Sequence, residues 1–164
     1  MLINYPFKLT LLLFMLLLAM PSGAALSDKP NSAALPQPEA NLQPEDVVRI
    51  VIEALANNDR PFSNAGIATT FNFASPQNKR NTGPLEKFTQ MLTGGVYGAM
   101  VQHRQSEFSE LVLQGNTAYQ FVRLTTGDGS VTVFAFRLSK QIDGQYQGMW
   151  MTDAVWPISK NSSF

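Results

Sequence analysis

The chain has 164 residues, with twelve basic and twelve acidic side chains, a single histidine and no cysteine. That balance, with no Lys/Arg cluster larger than Lys79-Arg80, argues against nucleic acid or an anionic membrane surface as a partner. The lack of cysteine excludes disulfides, Cys-metal sites and thiol catalysis together, so the fold must rest on its apolar core.

In chain order, residues 1–25 read as a secretory signal peptide. Lys8 supplies the positive n-region, and residues 9–20 are apolar except for Thr10. Pro21-Ser22-Gly23 then breaks the segment ahead of Ala24 and Ala25, whose small neighbours suit cleavage after either alanine. An apolar run of twelve residues falls short of the roughly 17 needed to span a bilayer, so no stable membrane anchor is expected after cleavage. The expected address is export, to a periplasm or beyond. Residues 26–43 are rich in Pro, Ser, Asn and Ala without apolar periodicity, the pattern of a flexible linker. Residues 44–164 are the right size for one domain.

The first half of that domain reads helical. Pro44 suits a first helical position, Glu45 and Asp46 suit the positive end of the helix dipole, and Val47, Ile50, Val51, Ala54 and Leu55 share a face. The pattern stops near Asn57-Asn58. A second helix is predicted over 64–73, with Ile67, Phe71 and Ala74 at helical spacing. A third follows Pro84, burying Leu85, Phe88 and Leu92.

The second half reads as sheet. Segments 108–113, 117–126, 131–140 and 145–156 are rich in β-branched and aromatic residues, and short Gly/Asn/Asp turns separate them. Turns this short permit only antiparallel neighbours, so four strands should form a meander. Helices followed by such a sheet make an α+β domain. Along 131–140, Thr132, Phe134, Phe136 and Leu138 should face the helices. Val131, Val133 and Ala135 should face outward, either as a homodimer interface or as ordinary β-formers on a wet face.

The stretch "TTFNFASPQNKRNTGP", residues 69–84, has two readings. In one, Phe71 and Phe73 pack, Pro76 ends the helix at Ser75, and 77–82 form a polar surface turn. In the other, Asn78, Lys79 and Arg80 grip an anionic ligand. The same stretch carries a resemblance. "AGIATTFNFASPQNKRNTGP", with "VYGAM" and "WMTDAVW" further on, resembles an uncharacterised domain-of-unknown-function family of small exported bacterial and plant plastid proteins. The resemblance covers most of residues 44–156. In layout the family is similar to the nuclear-transport-factor-two-like (SnoaL-like) cone superfamily. That similarity implies helices over a curved antiparallel sheet, with a pocket between them, and no particular chemistry.

Catalytic candidates are few. His103 has an intrinsic pKa near neutrality and could act as a general base. Asp153 on the last strand, with Tyr97 and His103 before the first, is the nearest analogue of the Asp/His/Tyr sets that the cone-fold resemblance implies. Against this, Asp153 could simply pair with Arg123 or Arg137. One histidine and no cysteine leave no metal site, and no phosphate loop, dinucleotide fingerprint or serine elbow points to a cofactor or an acyl enzyme. Tyr119, Tyr146 and Trp150 could line a pocket for a small apolar ligand, or could fill the core. Two functions follow. The first is a non-catalytic ligand-binding or assembly module. The alternative is a small isomerase- or dehydratase-like enzyme built on Asp153, His103 and Tyr97.

Overall fold

The computed structural model describes residues 34–158. The expected signal segment lies outside them, as do residues 26–33 of the expected linker. Pro38 is buried, Leu42 packs on the core, and Asn72 Nδ2 donates to the Pro36 carbonyl at 3.1 Å, so residues 34–43 lie along the domain.

Four helices precede the sheet: α1 (Pro44–Ala56), α2 (Ala65–Asn72), α3 (Pro76–Thr82) and α4 (Leu85–Thr93). A 3₁₀ segment (Gly95–Met100) leads into five antiparallel strands. These are β1 (Gln105–Phe108), β2 (Val112–Gln114), β3 (Thr117–Thr125), β4 (Val131–Lys140) and β5 (Trp150–Ile158). The domain is α+β, as the order of patterns predicts.

Helix α1 starts where Pro44 has no N–H to lose and where Asp46 Oδ2 accepts from the Gln43 N–H at 2.9 Å. Val47, Val48, Val51, Ile52 and Leu55 are all buried. Val48 and Ile52 take the places predicted for Ile50 and Ala54, which are only half-buried, because α2 covers one flank of the helix and the sheet another.

The α1–α2 junction is tight. A Cβ on Gly66 would collide with the Ala54 carbonyl, so only glycine allows the two backbones to approach this closely. Asn64, at the start of α2, sits at φ 60° and gives the helix no side-chain cap. The buried Asn58 replaces it: its Oδ1 accepts from the Ile67 N–H at 3.1 Å, and its backbone carbonyl accepts from the Gly66 N–H at 2.9 Å.

Residues 76–82 form a helix where a surface turn is expected. Ser75 is its N-cap, with Oγ accepting from the Asn78 N–H at 3.2 Å, and Pro76 occupies N1. Pro76 ends α2 and opens α3 together.

The sheet has five strands instead of four, in the order β1-β3-β4-β5, with β2 also pairing β3. The predicted single strand 108–113 is an edge strand broken in two. Phe108 pairs Val122 while Val112 pairs Tyr119, so three residues on this edge span two on β3, which is a bulge. Ser109 fastens it, donating its N–H to the Phe121 carbonyl at 2.9 Å and accepting from the Phe121 N–H at 3.0 Å.

The last strand begins at Trp150, five residues later than predicted. Residues 141–149 close on themselves instead, through Gly148 N–H to the Gln141 carbonyl at 2.8 Å and Gln141 N–H to the Met149 carbonyl at 2.9 Å. Tyr146 therefore lies in a loop.

Phe134, Phe136 and Leu138 join α1, α4 and Met100 in the core, as the alternation predicts. On the other face Val131 is exposed and Val133 half-buried. Ala135 is covered laterally between its cross-strand neighbours Phe121 and Trp156.

Candidate functional site

A cavity of about 230 Å³ lies where α3, α4 and the 3₁₀ segment meet β5. Its walls are mainly apolar, with Val51 from α1, Phe88, Met91 and Leu92 from α4, Met100, and Phe136 from β4. Polar groups enter from α2, α3, the 3₁₀ segment and β5.

Position is set by an unusual strand edge. Residues 73–75 run parallel to β5 and bridge it at Thr152. The Thr152 N–H donates to the Phe73 carbonyl at 2.8 Å. Its carbonyl accepts from the Ser75 N–H at 2.8 Å and from Asn78 Nδ2 at 3.0 Å. The backbone of Thr152 is thus held on three counts. One residue further, β5 is bulged: Thr152 pairs Leu138 and Ala154 pairs Arg137, so Asp153 is the extra residue. Bulges of this kind re-aim a side chain, and here Asp153 joins the cavity wall.

The hydroxyls at the cavity are not equivalent. Thr70 Oγ1 donates to the Gly66 carbonyl at 2.9 Å, and Thr82 Oγ1 to the Asn78 carbonyl at 2.9 Å. Tyr97 Oη donates to the Val155 carbonyl at 3.1 Å. Thr152 Oγ1, in a residue only 5% exposed, has no hydrogen-bond partner among the described residues. A buried hydroxyl without a partner costs about 1–3 kcal/mol. Gln120 Oε1 is the other such atom, but it lies outside the cavity wall.

The sequence candidates separate. Tyr97 and Asp153 both line the cavity; His103 does not. The His103 ring is buried, with Nδ1 2.8 Å from the Met100 carbonyl, which can only accept, so Nδ1 carries the proton. Asp153 Oδ2 lies 3.9 Å from Arg137 Nε, at the outer limit of an ion pair. Trp150 is a core residue, Tyr119 points to the opposite face of the sheet and Tyr146 sits in the 141–149 loop, so none of the three lines the cavity.

The basic pair also divides. Lys79 Nζ donates to the Asn72 carbonyl at 3.2 Å, at the end of α2, and lies 5.2 Å and 5.3 Å from the ring centres of Phe71 and Tyr146. Arg80 is exposed and bonds only to Gln77. Asn78 is turned inward onto Thr152. The three residues present no common grip for an anion.

Sequence reasoning missed Thr152 as a site residue and gave Asn78 a place in an anion grip instead of its bond to the strand. Ser75-Pro76 followed by Asn78 is a helix start, and reading it so would have turned Asn78 toward the strand. The orphan hydroxyl of Thr152 has no sequence signal, because it arises from a non-local pairing.

Among the described residues there is no group of three or more His, Asp or Glu side chains able to hold a metal, and no helix is long and apolar enough to cross a membrane. Residues 38–162 match the family model described as domain of unknown function (DUF4864), and the chain belongs to that family. No curated protein and no solved structure matches it.

Proposed function

We propose that this DUF4864 domain is a non-catalytic binding module, exported by its host, whose α3–α4–β5 cavity takes a small amphipathic ligand. One observation carries the reading. A cavity of about 230 Å³ has mainly apolar walls, and the hydroxyls of Thr70, Thr82 and Tyr97 on it are committed to backbone carbonyls. Apolar walls with a few fixed polar groups are the ordinary make-up of small-molecule sites. The likeness in layout to cone-shaped domains, which often keep a pocket beneath their helices, supports the same reading.

The enzymatic alternative is less well supported. Proton transfer needs an acid and a base within reach of one reacting atom. His103 is away from the cavity and the Tyr97 hydroxyl is spent on the Val155 carbonyl, which leaves Asp153 without a partner acid or base.

Native mass spectrometry of the chain purified from its own host tests the proposal. A retained small molecule is expected on the unmutated protein and lost in Met91→Trp, because Met91 is half-buried on the cavity wall and an indole there would fill the space. Retention unchanged in Met91→Trp, or no retained molecule in either protein, contradicts it.

A further inference from the structure

The sheet face turned away from the helices carries a second surface, which does not depend on the cavity. An antiparallel sheet with one face in water normally alternates apolar-in and polar-out. Here the outward positions of three neighbouring strands are largely apolar. Phe121, Ala135 and Trp156 lie directly opposite one another across β3, β4 and β5, and Arg123, Val133 and Ile158 form the next row. Phe121 is 48% exposed and Trp156 38%. Val112, Val131 and Ile158 are exposed with them.

Those five side chains leave about 400 Å² of apolar surface open, a patch of the size that marks an interaction site. With the stems of Arg123 and Arg137 the face offers about 700 Å², close to the roughly 800 Å² per partner of a standard interface. Aromatic residues and arginine are also the types enriched at interface centres.

Charge and edges narrow the occupant. Arg123 Nη1 lies 3.1 Å from Glu107 Oε1, and Arg137 Nε lies 3.9 Å from Asp153 Oδ2, so the four charges cancel. They give an anionic bilayer or a strongly charged partner nothing to be drawn by, and a second copy nothing to be repelled by. Adding a strand at an edge is disfavoured. Beyond its bridge at Thr152, β5 is an edge strand whose Pro157 has no N–H, and the opposite edge is broken by the bulge between β1 and β2. Face-to-face packing remains, and a two-fold axis makes such a patch its own complement.

We propose that the chain is a two-fold homodimer, packed outer sheet face on outer sheet face, with Phe121 and Trp156 near the centre of the contact.

Sedimentation velocity at tens of micromolar tests this, together with acrylamide quenching of tryptophan fluorescence across a dilution series. Trp150 is buried in the core, so quenching reports mainly on Trp156. A dimer is expected, with quenching that falls as the concentration rises. Phe121→Glu would bury an unpaired charge in the contact and should weaken the dimer at least about thirtyfold, with the far-ultraviolet circular dichroism unchanged. Trp156→Lys is the second face variant and should act alike. Ile142→Glu changes an apolar residue 73% exposed in the 141–149 loop, away from this face, and should leave the dimer intact.

A monomer overturns the proposal, and a monomer whose Trp156 resists quencher at every dilution makes the chain's own residues outside 34–158 the cover. A dimer that keeps its affinity in either folded face variant, or whose Trp156 is quenched equally at all concentrations, also overturns it by placing the contact elsewhere. None of these results bears on ligand retention in the cavity, so this proposal and that one fail separately.

Discussion

At the α1–α2 junction and at the α3–β5 seam, the same problem of a polar side chain inside an apolar interior is met in opposite ways. Asn58 spends its side chain completely: Oδ1 accepts from Ile67, and Nδ2 donates to Asp59 at 3.0 Å and to Asn64 at 3.1 Å. Gly66 beside it leaves no room for even one more carbon. At the seam, Asn78 and the Thr152 backbone are equally well matched, yet the buried Thr152 hydroxyl has no partner among the described residues. A closed network rigidifies a fold, whereas a buried polar group left over carries an uncompensated desolvation cost. The difference distinguishes a saturated polar cluster from an unsaturated one.

The largest effect should come from crowding the closed region. Gly66→Ala puts a methyl group into the Ala54 carbonyl and should cost about 3 kcal/mol of unfolding free energy, read by urea denaturation. A loss below about 0.5 kcal/mol would mean that α1 and α2 can separate without penalty. Next comes Asn58→Ala, which leaves the Ile67 N–H unpaired and should cost about 2 kcal/mol in the same assay. Both substitutions should leave ligand retention intact in whatever fraction stays folded, since neither residue lines the cavity.

Lys79→Ala should cost about 1 kcal/mol, through the lost contacts with Phe71 and Tyr146 and the uncapped Asn72 carbonyl. Arg80→Ala should change stability by less than about 0.5 kcal/mol. Equal effects from the two would erase the distinction between them.

That pair shows where the sequence stops being informative. Helix α1, the burial of Phe134 and Phe136, and the antiparallel succession of β3 and β4 follow from periodicity and turn residues, which are local. The inward turn of Asn78 and the capture of Lys79 depend on residues 146 and 152, more than sixty positions away in the chain, so no window of neighbours encodes them. The α3 helix was locally legible, since Ser75-Pro76 is an N-cap followed by N1, but Pro76 reads more readily as an end than as a beginning. The break between β1 and β2 depends on how Ser109 meets Phe121 across the sheet. Tyr97 and Asp153 reach the cavity as candidates from the sequence, while Thr152, in the same "WMTDAVW" stretch, is distinguished only by what it lacks.

The account depends on the Thr152 hydroxyl being surplus to the fold, and the unfolding free energy of ligand-free Thr152→Val measures this directly. Valine keeps the shape and removes a hydroxyl that no described group satisfies. Stability should stay unchanged or rise by up to about 1 kcal/mol. A loss of more than about 1 kcal/mol would place the hydroxyl in the protein's own hydrogen-bond network and contradict its assignment as a group the fold does not use.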